Sequence, residues 1–364
     1  MSKLFTPLKV GRITLNQRIA MAPMTRLRAD TSHLLLPSAK EYYQQRASVP
    51  GTLIVTEATI ISPRHGGYSN VPGIFNDEQI ASWKEITKAV HDQGSYIFLQ
   101  LWAMGRAANP SIMAHSGHDL VSASDVPMKS MFSEERHHPV PMTESEIQGT
   151  ISDFAAAAEK AMLAGFDGVE IHGANGYLID QFLQDVTNKR TDKWGGGVEN
   201  RSRLAVEVTS AVVKAIGNER TAIRLSPWSR YQEMGMEDPV PQFSDVARRL
   251  AEFKLAYLHI CESDGEPKES IKWLLRAYGD ASPLLVAGEY DGESARKAVD
   301  TKYVDHDVVV AFGRPFISNP DLVLKVKHGL PLAPLDPATM YGQMSEGYTD
   351  YPFSERFSLE DPAL

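Results

Sequence analysis

The 364-residue chain has the composition of a folded globular protein, with 43% hydrophobic and 23% charged residues. Its 46 acidic residues outnumber its 37 basic ones, which gives a formal net charge of −9 at pH 7. This balance disfavours broad binding to nucleic acid or to anionic membranes, because both need a positive protein surface. A single cysteine, Cys261, excludes a disulfide framework, a cysteine-rich zinc site and an iron–sulfur cluster within one chain.

No segment of the sequence resembles a targeting signal. The N-terminal residues contain no long apolar region of the kind found in secretory signals. No apolar run approaches the roughly 18 residues needed to span a bilayer. We therefore expect a soluble cytoplasmic protein, either a monomer or a homodimer, that acts on small molecules.

Short runs of aliphatic and β-branched residues recur along the chain and predict strands. Because nearly every position in these runs is apolar, they are typical of strands covered on both faces, as in parallel sheets. Eight runs occur, at residues 19–24, 52–59, 96–102, 168–173, 221–227, 256–261, 283–288 and 307–313.

Helical patterns separate these runs, most clearly at residues 77–91, 143–164, 199–216 and 242–253. Thr143 and Glu146 have the spacing of a capping box, which marks a helix start. Eight strands alternating with helices predict one (β/α)8 TIM barrel domain over residues 1–364. A doubly wound sheet is the alternative, but no G-x-G-x-x-G turn follows the first strand.

One long segment interrupts the alternation. Residues 103–142 separate the third strand from its helix and contain the adjacent residues His137 and His138. We interpret this segment as a long loop after strand 3 that could act as a lid. The histidine pair could bind a metal, but adjacent histidines in a polar loop are more often surface residues, so no metal site is predicted.

Polar side chains collect at the predicted carboxyl ends of the strands, where barrel enzymes place their chemistry. A barrel with only a structural role would not need this mixture on one face, although each residue alone could be structural. The residues are Thr25, Arg26, Gln100, Trp102, His172, Asn175, Tyr177, Arg224 and Arg314.

The ends of the last two strands are typical of a phosphate site, which barrels usually form after strands seven and eight. Gly288 and Gly313 allow the backbone to approach an anion, and Arg314 could neutralise its charge. Alternatively, these glycines only turn the chain. Arg224, at the end of the fifth strand, needs an electron-rich partner, such as the edge of a flavin ring or a substrate carboxylate.

Several sequence blocks together resemble the Old Yellow Enzymes, a family of flavin-dependent ene-reductases. The resemblance covers nearly the whole chain, and Asn175, in place of a second histidine, resembles the fungal branch. The blocks are MAPMTR at residues 21–26, EYYQQRA at 41–47, QLW at 100–102, HGANGYLIDQFL at 172–183, NKRTDKWGG at 188–196 and GYTDYP at 347–352.

The resemblance implies an FMN cofactor, with NADPH as hydride donor and NADH as the alternative. The implied cofactor contacts are Pro23, Met24, Thr25, Ala58, Gln100, His172 and Arg224 at the ring and Gly288, Glu289, Gly313 and Arg314 at the phosphate. The implied catalytic residues are His172 and Asn175, which bind the substrate oxygen, and Tyr177, which donates a proton. Trp102, Tyr231 and Tyr348 would complete the substrate pocket.

The implied reaction is reduction of the C=C bond of an enone, an enal or a nitroalkene, by hydride transfer from flavin N5 and protonation by Tyr177. Ergot-alkaloid-type aldehydes of fungal secondary metabolism are an alternative substrate class. A non-flavin barrel enzyme such as an aldolase is a further alternative, but no lysine lies at a strand end. A non-catalytic binding protein would not need Tyr177, His172 and Asn175.

The sequence departs from the family pattern in three places, one of which is Gly197, where relatives usually have serine. Glu289 stands where relatives often have glycine or asparagine, and it would repel a phosphate unless its side chain points away. The segment 261–268 is shorter than the corresponding segment of the yeast enzymes. Since that loop would cover the pocket, the resemblance does not imply a substrate preference.

Overall fold

The computed structural model describes residues 2–129, 135–262 and 270–359. Eight parallel strands form a closed barrel, in which each strand pairs with the next along the chain and the eighth pairs with the first. The predicted (β/α)8 fold is therefore confirmed. The strands are β1 (Ile19–Met21), β2 (Leu53–Val55), β3 (Tyr96–Trp102), β4 (Gly168–Gly173), β5 (Thr221–Leu225), β6 (Tyr257–Cys261), β7 (Leu284–Ala287) and β8 (Val308–Phe312).

Helices surround the barrel and occupy the loops at its carboxyl end. Within the described ranges, no helix is long and apolar enough to cross a membrane. The α-helices are α1 (Ser38–Arg46), α2 (Asp77–His91), α3 (Pro110–His115), α4 (Glu144–Leu163), α5 (Leu178–Leu183), α6 (Val198–Ile216), α7 (Val240–Ala251), α8 (Lys272–Tyr278), α9 (Gly292–Lys297), α10 (Arg314–Ser318), α11 (Leu322–His328) and α12 (Glu355–Leu359).

The four helices predicted from the sequence begin and end within two residues of α2, α4, α6 and α7. The predicted capping box is present, because Thr143 Oγ1 accepts from the backbone N–H of Glu146 at 3.3 Å and Glu146 Oε2 accepts from that of Thr143 at 2.7 Å. Most strands are shorter than predicted. Residues after Met21 and Leu225 leave the sheet and form loops of the carboxyl end. Residues 56–58 also leave it, but the chain returns as a short strand, Thr59–Ile60, that pairs with Leu101 and Trp102.

Side chains along each strand alternate between the barrel interior and the surrounding helices, as the two-residue period of a strand requires. In β3, Leu99 and Leu101 face outward and belong to the large core between strands and helices. Phe98 and Gln100 face inward, Phe98 near the amino end of the barrel and Gln100 nearer its centre.

A hairpin closes the amino end of the barrel. Its antiparallel strands, Leu8–Val10 and Ile13–Leu15, each bury their first and third residues. Gly11 turns the chain with φ +55°, and a Cβ there would lie 2.1 Å from the carbonyl oxygen of Glu219. We call the resulting cluster the apolar plug: Leu8, Val10, Ile13, Leu15, Ala20, Leu53, Val55, Phe98, Ala222, Ala256, Tyr257, Leu285 and Val309.

The predicted loop 103–142 contains regular structure in its described part. Besides α3, a parallel pair joins Val121–Ser122 to Val140–Pro141, and an antiparallel pair joins Met128–Lys129 to Arg136–His137. Residues 130–134, at the tip of the second pair, lie outside the described residues, as does most of the predicted pocket loop 261–268.

Three buried arginines hold the C-terminal tail against the barrel. Arg26 and Arg28 donate hydrogen bonds to backbone carbonyl groups of residues 339–347. Arg46 donates to the carbonyl oxygen of Tyr348 at 3.1 Å. We call these three residues the arginine cluster.

Candidate active site

A cavity of about 630 Å³ opens at the carboxyl ends of the strands. Its position is that of the active site in barrel enzymes. It brings together many of the residues that the sequence predicts for a site. Those on its wall are Pro23, Met24, Asn175, Arg224, Gly288, Glu289, Gly313 and Arg314.

At one end of the cavity the backbone is accessible to a ligand, and a positive and a negative side chain lie close together. Apart from its chain neighbours, a Cβ on Gly313 would meet no atom nearer than Met24 Sδ at 3.8 Å, so the backbone there is accessible to a ligand. Arg314 Nη2 lies 3.7 Å from Glu289 Oε1, and both side chains are largely exposed. The Glu289 carboxylate is therefore offset by a neighbouring positive charge, which reduces its repulsion of an anion.

A second carboxylate at this end is neutralised by its neighbours. Glu262 lines the cavity and accepts hydrogen bonds from the hydroxyls of Tyr290 and Tyr303 and from the ammonium group of Lys302. Burial and the Glu262 charge raise the pKa of both tyrosines. Both phenols consequently remain protonated and continue to donate.

A buried polar network fills the barrel beneath the cavity. Glu170 accepts hydrogen bonds from Gln100 Nε2 at 2.7 Å, from the Tyr257 hydroxyl at 3.0 Å and from His259 Nδ1 at 2.8 Å. Burial alone would raise the pKa of Glu170, but His259, Arg224 and Gln100 together hold it below its ordinary value. The carboxylate therefore remains ionised and fixes its partners in place.

Arg224 connects this network to the cavity. In the sheet it lies between His172 of β4 and His259 of β6, and it forms part of the cavity wall. Among the described residues its Nε atom is buried and has no hydrogen-bond partner. Because buried donors are almost always paired in folded proteins, this N–H is expected to bind a ligand atom.

His172 is held as a neutral imidazole with one donor available. Its Nδ1 accepts from the backbone N–H of Ala174 at 3.4 Å, which places the ring proton on Nε2. Burial, followed by the charges of Arg224 and His259, lowers the pKa of His172 well below its ordinary value. The ring therefore stays neutral near pH 7 and donates from Nε2.

Asn175 follows β4 in a left-handed turn, with φ +57°. Asparagine tolerates this conformation better than most residues, and the Ser226 hydroxyl accepts from its backbone N–H at 2.7 Å. The turn places Asn175 on the cavity wall. It continues through Gly176, with φ +74°, into Tyr177 at the start of α5.

The phenol of Tyr177 is partly buried and packs against aromatic rings. Its ring centroid lies 4.9 Å from that of Trp102 and 4.9 Å from that of His172, both in edge-to-face geometry. Burial, followed by Tyr68 and Tyr231, raises the pKa of Tyr177 well above its ordinary value. The phenol therefore keeps its proton near pH 7, as a general acid must.

Other predicted ligands lie beside this centre and not on the wall of the 630 Å³ cavity. Ala58 and Trp102 pack in a small apolar cluster that Tyr177 also contacts. Gln100 is directed at Glu170, and Thr25 follows Met24 in a half-buried position. The ring contacts implied for Thr25, Ala58 and Gln100 therefore remain predictions.

The structure corrects the expected position of Tyr348. This side chain is fully buried, and its ring stacks on Tyr42 with centroids 4.2 Å apart. The guanidinium groups of Arg26 and Arg28 lie 5.1 and 4.8 Å from its ring centroid. The prediction that Tyr348 lines the substrate pocket is wrong, because the side chain has no exposed surface and Arg26 and Arg28 of the arginine cluster cover its ring.

The sequence analysis missed three residues around Tyr177. Tyr68 forms a hydrogen bond with the Tyr177 hydroxyl, and Tyr341 and Gln232 interact with the same phenol. They come from the loops after β2 and β5 and from the C-terminal tail. Their order in the chain gives no sign that they meet, although Gln232 is the neighbour of Tyr231, which the sequence analysis did select.

The residues on the cavity wall fit an FMN molecule. The unpaired Nε of Arg224 can bind the polar edge of its ring system, and Pro23 and Met24 form an adjacent wall. Gly288, Gly313 and Arg314 can accommodate its phosphate through backbone groups and a guanidinium. In the described part of the chain, no group of three or more acidic, histidine or cysteine side chains could hold a metal ion.

Comparison with known proteins agrees with this geometry. The sequence model of the NADH:flavin oxidoreductase / NADH oxidase family matches residues 3–333. The solved structure of the Old Yellow Enzyme homologue from Zymomonas mobilis superposes with a TM-score of 0.89 at 39% identity, covering 96% of this chain and 99% of that chain.

Two fungal relatives are similar over almost their whole length. A chanoclavine-I aldehyde reductase from Penicillium roqueforti is 56% identical, with 98% of each chain covered. A "probable inactive reductase" from Epichloe festucae var. lolii is 49% identical, covering 99% of this chain and 97% of the relative.

Proposed function

The chain belongs to the NADH:flavin oxidoreductase / NADH oxidase family, together with the Old Yellow Enzymes, and on this basis we propose that it is an ene-reductase. FMN is its cofactor and NAD(P)H its hydride donor. The proposed reaction is reduction of the C=C bond of an enal or enone, with NADPH preferred. Nitroalkenes are proposed as a second group of substrates.

The carbonyl oxygen of the substrate binds between His172 and Asn175. His172 donates from Nε2, and the amide of Asn175 donates a second hydrogen bond from the cavity wall. These two donors withdraw electrons from the conjugated system and stabilise the negative charge that develops on the oxygen. Bound FMN supplies the hydride that the β-carbon receives.

Tyr177 then protonates the α-carbon. A high pKa keeps its hydroxyl proton in place until the enolate, a much stronger base than the substrate, has formed. The edge-to-face contacts with Trp102 and His172 fix the plane of the phenol. The acid is therefore positioned before the substrate binds.

We propose an α,β-unsaturated aldehyde of fungal secondary metabolism as the substrate class. The 56% identity to a chanoclavine-I aldehyde reductase supports this choice. Tyr231 and Tyr341, which are 46% and 55% exposed, provide aromatic surface close to Tyr177 on which a large ring system could pack.

The observation that carries the proposal is a protonated Tyr177 beside a neutral His172 and an Arg224 whose Nε has no partner among the described residues. Tyr177→Phe tests it, because the ring is kept and the proton is lost. In stopped-flow experiments on FMN-loaded protein, flavin reduction by NADPH should stay within a few-fold of wild type. Reoxidation by an enal or enone should slow by roughly 10²–10⁴.

The two half-reactions separate the possible outcomes. Equal slowing of both would indicate a disturbed pocket, and unchanged reoxidation would remove Tyr177 from the mechanism. If wild-type protein is reduced by NADPH but reoxidised by no enal, enone or nitroalkene, it is not an ene-reductase. The hydride step with a nitroalkene should suffer less, because the nitronate product can be protonated in water.

A further inference from the structure

The turn after β5 has a strained backbone. Gln232 and Glu233 are consecutive non-glycine residues with φ +57° each, in the left-handed region. Such conformations cost free energy and persist only where surrounding contacts enforce them, most often at functional sites. The contacts and side chains of this turn are therefore informative about function.

Residues from the long loop after β3 enforce the turn. Arg106 Nη2 donates to the carbonyl oxygens of Gln232 at 3.0 Å and Glu233 at 3.4 Å. The Glu233 carboxylate binds Arg136 Nη2 at 2.5 Å and the backbone N–H of Lys129 at 3.2 Å. The antiparallel pair of that loop is thus attached to the turn through Glu233.

The turn packs directly against Gly176, the residue that precedes Tyr177. A Cβ on Gly176 would lie 2.9 Å from Gln232 Cβ and 2.8 Å from Met234 Cγ, so only glycine allows this approach. The Gln232 side chain is buried, with 9% exposure, and in the described ranges neither its Nε2 nor its Oε1 has a hydrogen-bond partner of good geometry. A buried carboxamide without partners is unfavourable for folding alone.

We propose that Gln232 is a positioning residue for the general acid, an inference that rests on the proposed function. Its Nε2–H donates to the phenol oxygen of Tyr177, which leaves the hydroxyl proton directed at the substrate. When that proton moves to the α-carbon, the same N–H stabilises the phenolate until Tyr177 regains a proton from water. The interaction of Gln232 with this phenol opposes the increase in the pKa of Tyr177 that burial causes.

Other groups around Tyr177 also contact its phenol. Tyr68 forms a hydrogen bond with it, and burial raises the pKa of Tyr68, so that it too stays protonated. His172 donates to the substrate oxygen in the proposed reaction. Gln232 differs from the neighbouring phenols because its carboxamide is neutral at every pH and can donate to the phenolate without exchanging a proton with it.

Gln232→Leu tests the proposal, because it keeps the volume and removes the amide. Flavin reduction by NADPH should stay within a few-fold of wild type, whereas reoxidation by an enal should slow about 10–100-fold, the worth of one hydrogen bond to a developing charge. The solvent deuterium isotope effect on reoxidation should increase. The unfolding temperature should be unchanged or higher, because the variant removes a buried amide whose hydrogen bonding has poor geometry in the resting protein.

Gln232→Glu supplies a second, pH-dependent readout. A protonated carboxyl can donate to the phenol oxygen, but an ionised one repels the phenolate. Reoxidation by this variant should therefore recover as the pH falls, a limb that wild type lacks. Gln148→Leu is the matched control, since it makes the same change on the exposed face of α4 and should alter neither half-reaction.

Unchanged reoxidation in Gln232→Leu would overturn the proposal. Equal slowing of both half-reactions, or a clearly lower unfolding temperature, would show that the carboxamide is only structural and would overturn it as well. Wild-type protein that is reduced by NADPH but never reoxidised by an unsaturated substrate overturns the proposed function, and this inference with it. That result is distinguishable because it is seen without any substitution.

Discussion

The same eight strands build two very different ends of the barrel. At the amino end, inward positions such as Phe98, Leu285 and Val309 are apolar, and the hairpin of the apolar plug covers them. Two residues further along the strands, inward positions carry Glu170, His259 and Arg224, and the barrel opens into a cavity.

The difference between the ends shows how stability and chemistry are separated along one strand. Packing of apolar side chains stabilises the amino end. The carboxyl end keeps an unpaired Arg224 Nε, an unpaired Gln232 amide and left-handed residues, all of which cost stability. Substitutions at the carboxyl end should therefore change ligand binding or activity, whereas substitutions at the amino end should reduce stability.

The largest effect is expected at the carboxyl end, from removing both carbonyl donors. Replacing His172 and Asn175 with alanine should weaken binding of para-substituted phenols, because a phenolate mimics the charged substrate oxygen. Two hydrogen bonds to a charged atom contribute about 3–6 kcal/mol if they add, roughly 10²–10⁴ in affinity. A phenolate bound over FMN gives a long-wavelength charge-transfer band, and titration of that band measures the affinity for the phenol. Unchanged phenol affinity would contradict the assignment of the clamp.

A substitution in the apolar plug should lower stability and leave the reaction unchanged. Phe98→Ala removes a fully buried ring that packs on Tyr257, with centroids 5.4 Å apart, and should lower the free energy of unfolding by about 3–5 kcal/mol. Reoxidation per FMN-loaded, folded molecule should match wild type. Urea unfolding and stopped-flow kinetics provide the two measurements. A large kinetic defect in the folded protein would break the proposed separation of the two ends.

A third test uses pH, because a buried histidine lies on the mouth side of the barrel. Burial lowers the pKa of His65 to about 4, below its value of about 6.5 in an unfolded chain. The folded protein therefore resists protonation, and stability should be lost as the pH falls from about 6.5 to about 4. The loss is about 3 kcal/mol in total.

The pH dependence of the free energy of unfolding in wild type and in His65→Asn measures this contribution. The variant should lack that part of the loss, although other groups titrate in both proteins. Phe98→Ala should destabilise the protein by a similar amount at every pH, since no proton is involved. Identical pH profiles for wild type and His65→Asn would show that His65 does not contribute.

The smallest effect concerns the phosphate end. Glu289→Gln removes a charge that lies 3.7 Å from Arg314 and leaves the guanidinium free to bind phosphate. Because both groups are largely exposed, FMN should bind tighter by less than about 1 kcal/mol, or roughly five-fold. Fluorescence titration of apoprotein with FMN measures this. Glu293→Gln on α9 is the control, and weaker FMN binding in Glu289→Gln would contradict the prediction.

Much of the fold could be predicted because its signals are local. Buried strands give apolar runs, and a capping box at Thr143 marks the start of a long helix. The strand ends were less predictable, since the residues after Met21 and Val55 have strand-like side chains but are recruited into loops. In those positions, tertiary contacts outweigh local preference.

Some residues of the candidate site could also be predicted from local sequence, and others could not. His172, Asn175 and Tyr177 follow one strand and share one motif, so their proximity was predictable. Gln232 was not, because its role depends on a left-handed turn and on a close approach to Gly176. Tyr348 was misplaced because its motif does not indicate that Arg26 and Arg28 lie over its ring.

The arginine cluster also sets the order in which the protein can be completed during synthesis. Arg26, Arg28 and Arg46 are made long before their backbone acceptors at residues 339–348, which follow more than 300 residues later in the chain. Strand β1 likewise waits for β8 before the ring of strands can close. Buried guanidinium groups cannot be left without acceptors, so the amino-terminal part must stay loosely packed on the ribosome. We expect it to be a chaperone client until residues 339–348 emerge.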